Sequence, residues 1–121
     1  YGERAAHHIL RSLPETALHD ADDIPPWEDT GVYDPDPALI SQDLSSIKNI
    51  MWNYVGLVRT KYRLSRATRE LRQLNQAIER FYRKTRLTDE LIGLRNAARA
   101  AIVIADAAWE NKNSMGAHYR E

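Results

Sequence analysis

The chain has 121 residues, with 17 Lys plus Arg balanced by 17 Asp plus Glu and no cysteine. That length suits one domain able to bury roughly two-thirds of the surface its unfolded chain exposes. The missing cysteines exclude a disulfide framework and thiolate metal sites, and they fit a reducing compartment, here expected to be the cytoplasm. No apolar run reaches the ~18 residues needed to span a bilayer, so no membrane partner is expected. The opening residues lack a secretory layout, and without an initiator methionine the chain is expected to belong to something longer.

The neutral total hides a sorted chain. Between Leu13 and Asp43 stand nine acids and no Lys or Arg, whereas Arg59 to Arg86 holds ten bases against Glu70 and Glu79.

Gly2 to Ser12 reads as a short amphipathic helix, with Ala5, Ala6, Ile9, Leu10 and Leu13 on one face and a stop at Pro14. It is too short to stand alone and expects a partner for that face. Pro14 to Ile40 is an acidic connector punctuated by Pro25, Pro26, Gly31, Pro35 and Pro37. Its Ile24, Trp27, Val32 and Tyr33 favour an arm laid on a surface over a solvated linker.

Ser41 is the expected N-cap of the first long helix, with Asp43 in its first turn, and the helix is expected to run to about Arg59. Ile47, Ile50, Met51, Tyr54, Leu57 and Val58 supply its apolar face. Gly56 costs a helix interior about 1 kcal/mol relative to alanine, so it predicts another backbone pressed close. A second helix follows, with Leu64, Ala67, Leu71, Leu74, Ile78 and Phe81 at alternating spacings of three and four. Thr88, followed by Asp89 and Glu90, starts the third. Leu87, Leu91, Leu94, Ala98, Ile102, Ala105 and Trp109 form its stripe, and its many alanines allow close neighbours.

These elements predict an all-α fold: an antiparallel three-helix bundle over 41–121, preceded by a terminal helix (1–13) and an extended arm (14–40). Gly116, just past the third helix, fits a left-handed stop.

The chemistry read from the residues is sparse. No Gly-rich phosphate loop or Gly-x-Ser-x-Gly elbow is present, so no nucleotide or flavin site is expected here. Glu3 and His7 stand four apart but lack a third ligand, and His7 and His8 point about 100° apart on a helix. Ser114 and His118 lack an orienting acid and read as polar groups at a helix end. Arg59, Arg63, Arg66, Arg69, Arg72 and Arg80 with Tyr62 and Tyr82 have the composition of a nucleic-acid surface. The acidic arm favours neutralisation within the chain or against an adjoining domain, so no nucleic-acid partner is expected. No catalytic, cofactor-binding or metal-ligating residue is assigned.

Two stretches carry a family likeness. Ile50-Met51-Trp52-Asn53-Tyr54-Val55-Gly56-Leu57-Val58-Arg59-Thr60 resembles the first bundle helix of the C-terminal domain of L-aspartate oxidases. Leu91 to Tyr119, ending Gly116-Ala117-His118-Tyr119, resembles that domain's last helix and exit. Ile24-Pro25-Pro26-Trp27, Leu39-Ile40-Ser41 and Tyr1-Gly2-Glu3-Arg4-Ala5-Ala6 agree with the arm and with the helix that closes the flavin-binding domain. One departure is Asn113-Ser114-Met115-Gly116 where the family writes Glu-Ser-Arg-Gly, which exchanges a five-donor guanidinium for a thioether.

The resemblance implies a parent that oxidises L-aspartate to iminoaspartate with FAD, at the start of NAD biosynthesis. Its catalytic and flavin-binding residues would lie upstream, with no FAD held by these 121 residues. The implied partners are the flavin-binding and capping domains of the same protein, and quinolinate synthase. Fumarate reductase and succinate dehydrogenase flavoproteins share the Val-Gly-x-x-Arg helix and Gly-x-His exit and stand as the alternative, beside a stand-alone helical interaction module.

Overall fold

A computed structural model describes residues 1–15, 17, 20–26, 28 and 31–121. Four α-helices account for most of it: α1 Gly2–Ser12, α2 Pro37–Tyr54, α3 Lys61–Tyr82 and α4 Asp89–Glu110. Two short strands, β1 Val58–Arg59 and β2 Tyr119–Arg120, pair in parallel, with Val58 opposite Tyr119 and Arg59 opposite Arg120. Single 3₁₀ turns lie at Leu13–Glu15 and Ala21–Asp23. The predicted all-α bundle holds, with this small ladder added at one end.

Each long helix starts where a side-chain oxygen takes up a free amide. The Ala38 N–H donates to the Asp36 carboxylate at 2.9 Å, the Arg63 N–H to the Thr60 hydroxyl at 3.2 Å and the Leu91 N–H to Thr88 at 3.3 Å. Thr88 is thus the cap the sequence predicts. Helix α2 begins earlier than expected, because Pro37 sits in its first turn, where a fixed φ and a missing N–H cost nothing. Ser41 and Asp43 therefore lie inside the helix. Burial raises the Asp43 pKa above the usual aspartate value.

The core is continuous. Leu64, Ala67, Leu71 and Ile78 of α3 face Leu91, Leu94, Ala98, Ala101, Ala105 and Ala108 of α4, and Ile40, Ile47 and Val55 close it from the α2 side. The α3–α4 interface is the most extensive, and α2 packs on both. Leu74 and Phe81 lie at the edge of the cluster, half-buried. Ion pairs show that α3 and α4 run antiparallel: Arg72, midway along α3, meets Asp106 late in α4, while Glu79, near the end of α3, meets Arg95 and Arg99 nearer the start of α4.

Gly56 corrects the reading of a glycine inside a helix against a neighbouring rod. Helix α2 ends at Tyr54, and Gly56 lies in the turn beyond it. A Cβ there would come within 2.6 Å of the Trp52 carbonyl oxygen, so the glycine serves the tight exit from its own helix. The close approach falls instead to the alanines of α4.

The end of the arm docks through its backbone. The Val32 and Tyr33 amides donate to the Lys84 carbonyl at 3.0 and 3.1 Å, the Arg86 amide donates to Tyr33 at 2.8 Å, and Arg86 pairs with Asp34. Gly31 lies so close to the Thr85–Arg86 backbone that any Cβ would collide with it. The side chains of Ile24, Val32 and Tyr33 are exposed, and Trp27 lies outside the described residues. Helix α1 keeps Ile9 and Leu10 exposed, and Leu13 is exposed in the turn that follows it.

Candidate functional site

The densest polar construction joins the exits of α2 and α4 to the C-terminal turn. Arg59, on β1, turns back and donates from Nε to the Val55 and Gly56 carbonyls at 3.1 and 3.0 Å, capping the end of α2. Its ladder partner Arg120 does the same for α4, donating to the carbonyls of Ala108, Trp109 and Asn111, with its guanidinium 5.7 Å from the Trp109 ring centre. A cation at a helix C-terminus faces unpaired carbonyls and the negative end of the dipole, so both contacts are favourable.

His118 links the two. Its Nδ1 lies 2.7 Å from Arg59 Nη1 and its Nε2 lies 3.0 Å from the Asn111 carbonyl. A guanidinium only donates and a carbonyl only accepts, so Nδ1 carries the lone pair and Nε2 the proton. We expect nitrogen-detected NMR to show the neutral Nε2–H tautomer, with Arg59→Leu releasing that preference. An Nδ1–H imidazole in the unaltered chain contradicts this geometry.

Gly116, at φ 57°, turns the chain so that Met115 and His118 exchange both backbone hydrogen bonds. Its left-handed conformation fits the prediction, but its place does not: α4 ends at Glu110, and Gly116 closes a later turn. Met115 contributes its backbone to that turn and leaves its side chain exposed. Ser114 and His118 are not a catalytic pair. The Ser114 hydroxyl accepts the Arg120 amide at 3.0 Å, while the His118 ring is committed to Arg59 and Asn111. Neither Arg59 nor Arg120 stands out by periodicity; their pairing needs the ladder, which joins residues 61 positions apart.

The basic helix is partly neutralised from within. Arg66 pairs with Glu70 and lies 5.3 Å from the Tyr54 ring centre, and Arg72 pairs with Asp106. Glu79 receives two arginines: Arg95 Nε and Nη2 at 2.9 and 3.1 Å, and Arg99 Nη2 at 2.9 Å, with Arg95 also stacked 4.2 Å from Tyr82. The hydrogen bonds from Arg95, then those from Arg99, hold the Glu79 carboxyl below its usual range, against the opposing effect of burial. A depressed folded pKa gives stability that is full above the unfolded value and is lost as pH falls through the folded one. Glu79→Gln should therefore cost on the order of 1 kcal/mol at pH 7 and flatten the acid side of the stability curve. Urea titrations across pH measure both.

Several grooves flank the helices among the described residues. One of about 500 Å³ between α3 and α4 is lined by Thr68, Arg69, Arg72, Asp106 and Trp109. An apolar one of about 660 Å³ between α2 and α4 is lined by Pro35, Pro37, Ile40, Leu44, Gly93 and Leu94. Glu3 and His7 form an exposed pair at 3.9 Å, and no group of three or more metal-ligating side chains occurs among the described residues. No described helix is long and apolar enough to cross a membrane.

Comparison with known proteins places this architecture. The family described as "Fumarate reductase flavoprotein C-term" matches residues 45–121. The chain is 38% identical over 120 residues to an L-aspartate oxidase of Yersinia pestis, covering 98% of this chain and 22% of that protein. An L-aspartate oxidase of Pseudomonas aeruginosa is 36% identical over 120 residues, at the same coverage of both. One of Halobacterium salinarum is 37% identical over 110 residues, covering 88% of this chain and 21% of that protein. The chain thus spans about a fifth of the length of these curated relatives. With α3, α4 and the tail turn all inside the matched range, the chain belongs to the fumarate reductase flavoprotein C-terminal family, in the form carried by L-aspartate oxidases.

Proposed function

We propose that these residues are the C-terminal helical part of an FAD-dependent L-aspartate oxidase, which converts L-aspartate to iminoaspartate at the first step of NAD biosynthesis. The observation that carries this is similarity to L-aspartate oxidases that extends over 98% of the chain and so takes in the bundle and the residues before it. Residues 1–13 belong, in this reading, to the end of the flavin-binding domain and the stretch after them to a connecting arm, with the bundle beginning at Pro37, where α2 starts and Ile40 enters the core. Three features support a docking role: the unpartnered apolar side of α1, the exposed Val103 and Ile104 of α4, and an ion-paired, hydrogen-bonded frame whose donors end on carbonyls and carboxylates.

The flavin-binding and capping domains supply the chemistry, and the bundle buttresses them. The protein works in the cytoplasm, and its unstable product makes quinolinate synthase a fitting partner. The test is turnover by the full-length protein loaded with FAD. Oxidation of L-aspartate, with oxygen or fumarate reoxidising the flavin, is the expected result. Turnover of succinate in its place favours a fumarate reductase or succinate dehydrogenase flavoprotein, and a full-length protein that binds no flavin overturns the reading.

A further inference from the structure

Helix α3 shows a single sign of charge to solvent. Its exposed charged residues are Lys61, Arg63, Arg66, Arg69, Arg72 and Arg80, with Arg83 just past its end, and none of the residues it exposes is acidic. The two acids of α3 are half-buried and engaged, Glu70 by Arg66 and Glu79 by Arg95 and Arg99. At about 100° per residue, the arginines from Arg66 to Arg83 share roughly a third of the helix circumference, with Gln73 and Gln76 between them. That stripe is about 25 Å long. Arg69, Arg80 and Arg83 form no ion pair among the described residues.

The stripe is one helix wide, because carboxylates bound it on both sides. Asp106 and Glu110 stand across the groove on α4, and Glu70 lies in the groove shared with α2. A duplex taking α3 into its major groove would press its phosphate walls against those carboxylates. Unpaired bases need a run of stacking planes, and Tyr62, at the start, is the one exposed aromatic ring of α3. The chain's own arm is engaged elsewhere: among the described residues its one ion pair joins Asp34 to Arg86, and Asp20 and Asp23 accept from backbone amides of their own turn. What fits is a narrow, acidic polypeptide. Guanidinium forks suit carboxylates, and Arg66 and Arg72 are already held in place by Glu70 and Asp106, which lowers the cost of ordering them on contact.

We propose that the outer face of α3 binds an acidic helical segment of a separate protein, one that presents Asp or Glu at three- and four-residue spacing along one side. Two helices lying side by side repeat their contacts every three to four residues, which is the spacing of the cations from Arg66 to Arg72 and from Arg80 to Arg83. The inference stands apart from the reaction, since none of these arginines is assigned a part in it.

Fluorescence anisotropy with the FAD-loaded full-length protein tests this, using as probe a labelled helix-forming peptide whose glutamates lie along one face. At about 0.01 M salt, where screening is weak, saturable binding is expected. The variant carrying Arg69→Gln, Arg80→Gln and Arg83→Gln should bind at least roughly tenfold more weakly, and Lys48→Gln, on α2, should stay within about twofold. Glutamine is a good helix former, so an unchanged unfolding midpoint is expected for the triple variant. A peptide of the same composition with its glutamates spread around the helix should also bind at least roughly fivefold more weakly. Four results overturn the proposal: no binding at low salt, equal binding by the triple variant, equal binding of the two peptides, or tighter binding of a 20-base-pair duplex or single strand of about that length, which would assign the face to nucleic acid.

Discussion

Truncating Leu71 to alanine lowers the stability of the 121-residue chain by about 2–5 kcal/mol, the range for a fully buried leucine whose surroundings relax only in part. Leu71 is 1% exposed and lies in the middle of α3, among the α4 residues that close the core. Urea unfolding should show the midpoint moving down with little change in slope, because the surface exposed on unfolding is nearly the same. Leu74→Ala, at the half-buried edge of the same stripe, should cost clearly less. Equal losses at the two positions would mean that the α3–α4 seam is not where the core sits.

Enlarging a buried alanine of α4 should be nearly as damaging. Ala105 is fully buried, so Ala105→Leu forces three more carbons and their hydrogens into a filled space, at a cost of about 1–3 kcal/mol. Ala107→Leu, two residues on and exposed, is the matched control and should stay within about 0.5 kcal/mol of the parent chain. Calorimetry on both variants separates close packing from helix propensity, since leucine and alanine are both good helix formers. An Ala105→Leu chain as stable as its control would show that α4 does not need its small residues.

The three rods were legible because their apolar spacing is regular and tertiary packing uses it. Leu64, Ala67, Leu71 and Ile78 are buried as their spacing requires, and Thr88 caps α4 where a hydroxyl precedes two acids. The family likeness read from Ile50–Thr60 and Leu91–Tyr119 also holds. Boundaries were less legible. Pro35 and Pro37 look like arm punctuation, yet a proline in the first turn opens a helix as well as it breaks one, which moved the cap from Ser41 to Asp36.

At the other end of α2, Leu57 and Val58 continue the helical spacing by coincidence. The chain leaves the helix at Val55 because Arg59 takes up the free carbonyls there and β1 finds β2. That pairing joins distant parts of the chain and leaves no periodic trace in two residues per strand. In the sequence His118 reads with Ser114, but its working partners, Arg59 and Asn111, are brought to it by the fold.

The central claim is that these residues form a self-supporting frame and that the flavin is held elsewhere in the protein. Thermal unfolding of the 121-residue chain with and without excess FAD tests it most directly, because a ligand bound by the folded state alone raises the midpoint. The account predicts one cooperative transition at the same temperature in both samples. A midpoint that climbs with FAD concentration, or a chain with no cooperative transition at all, would contradict it.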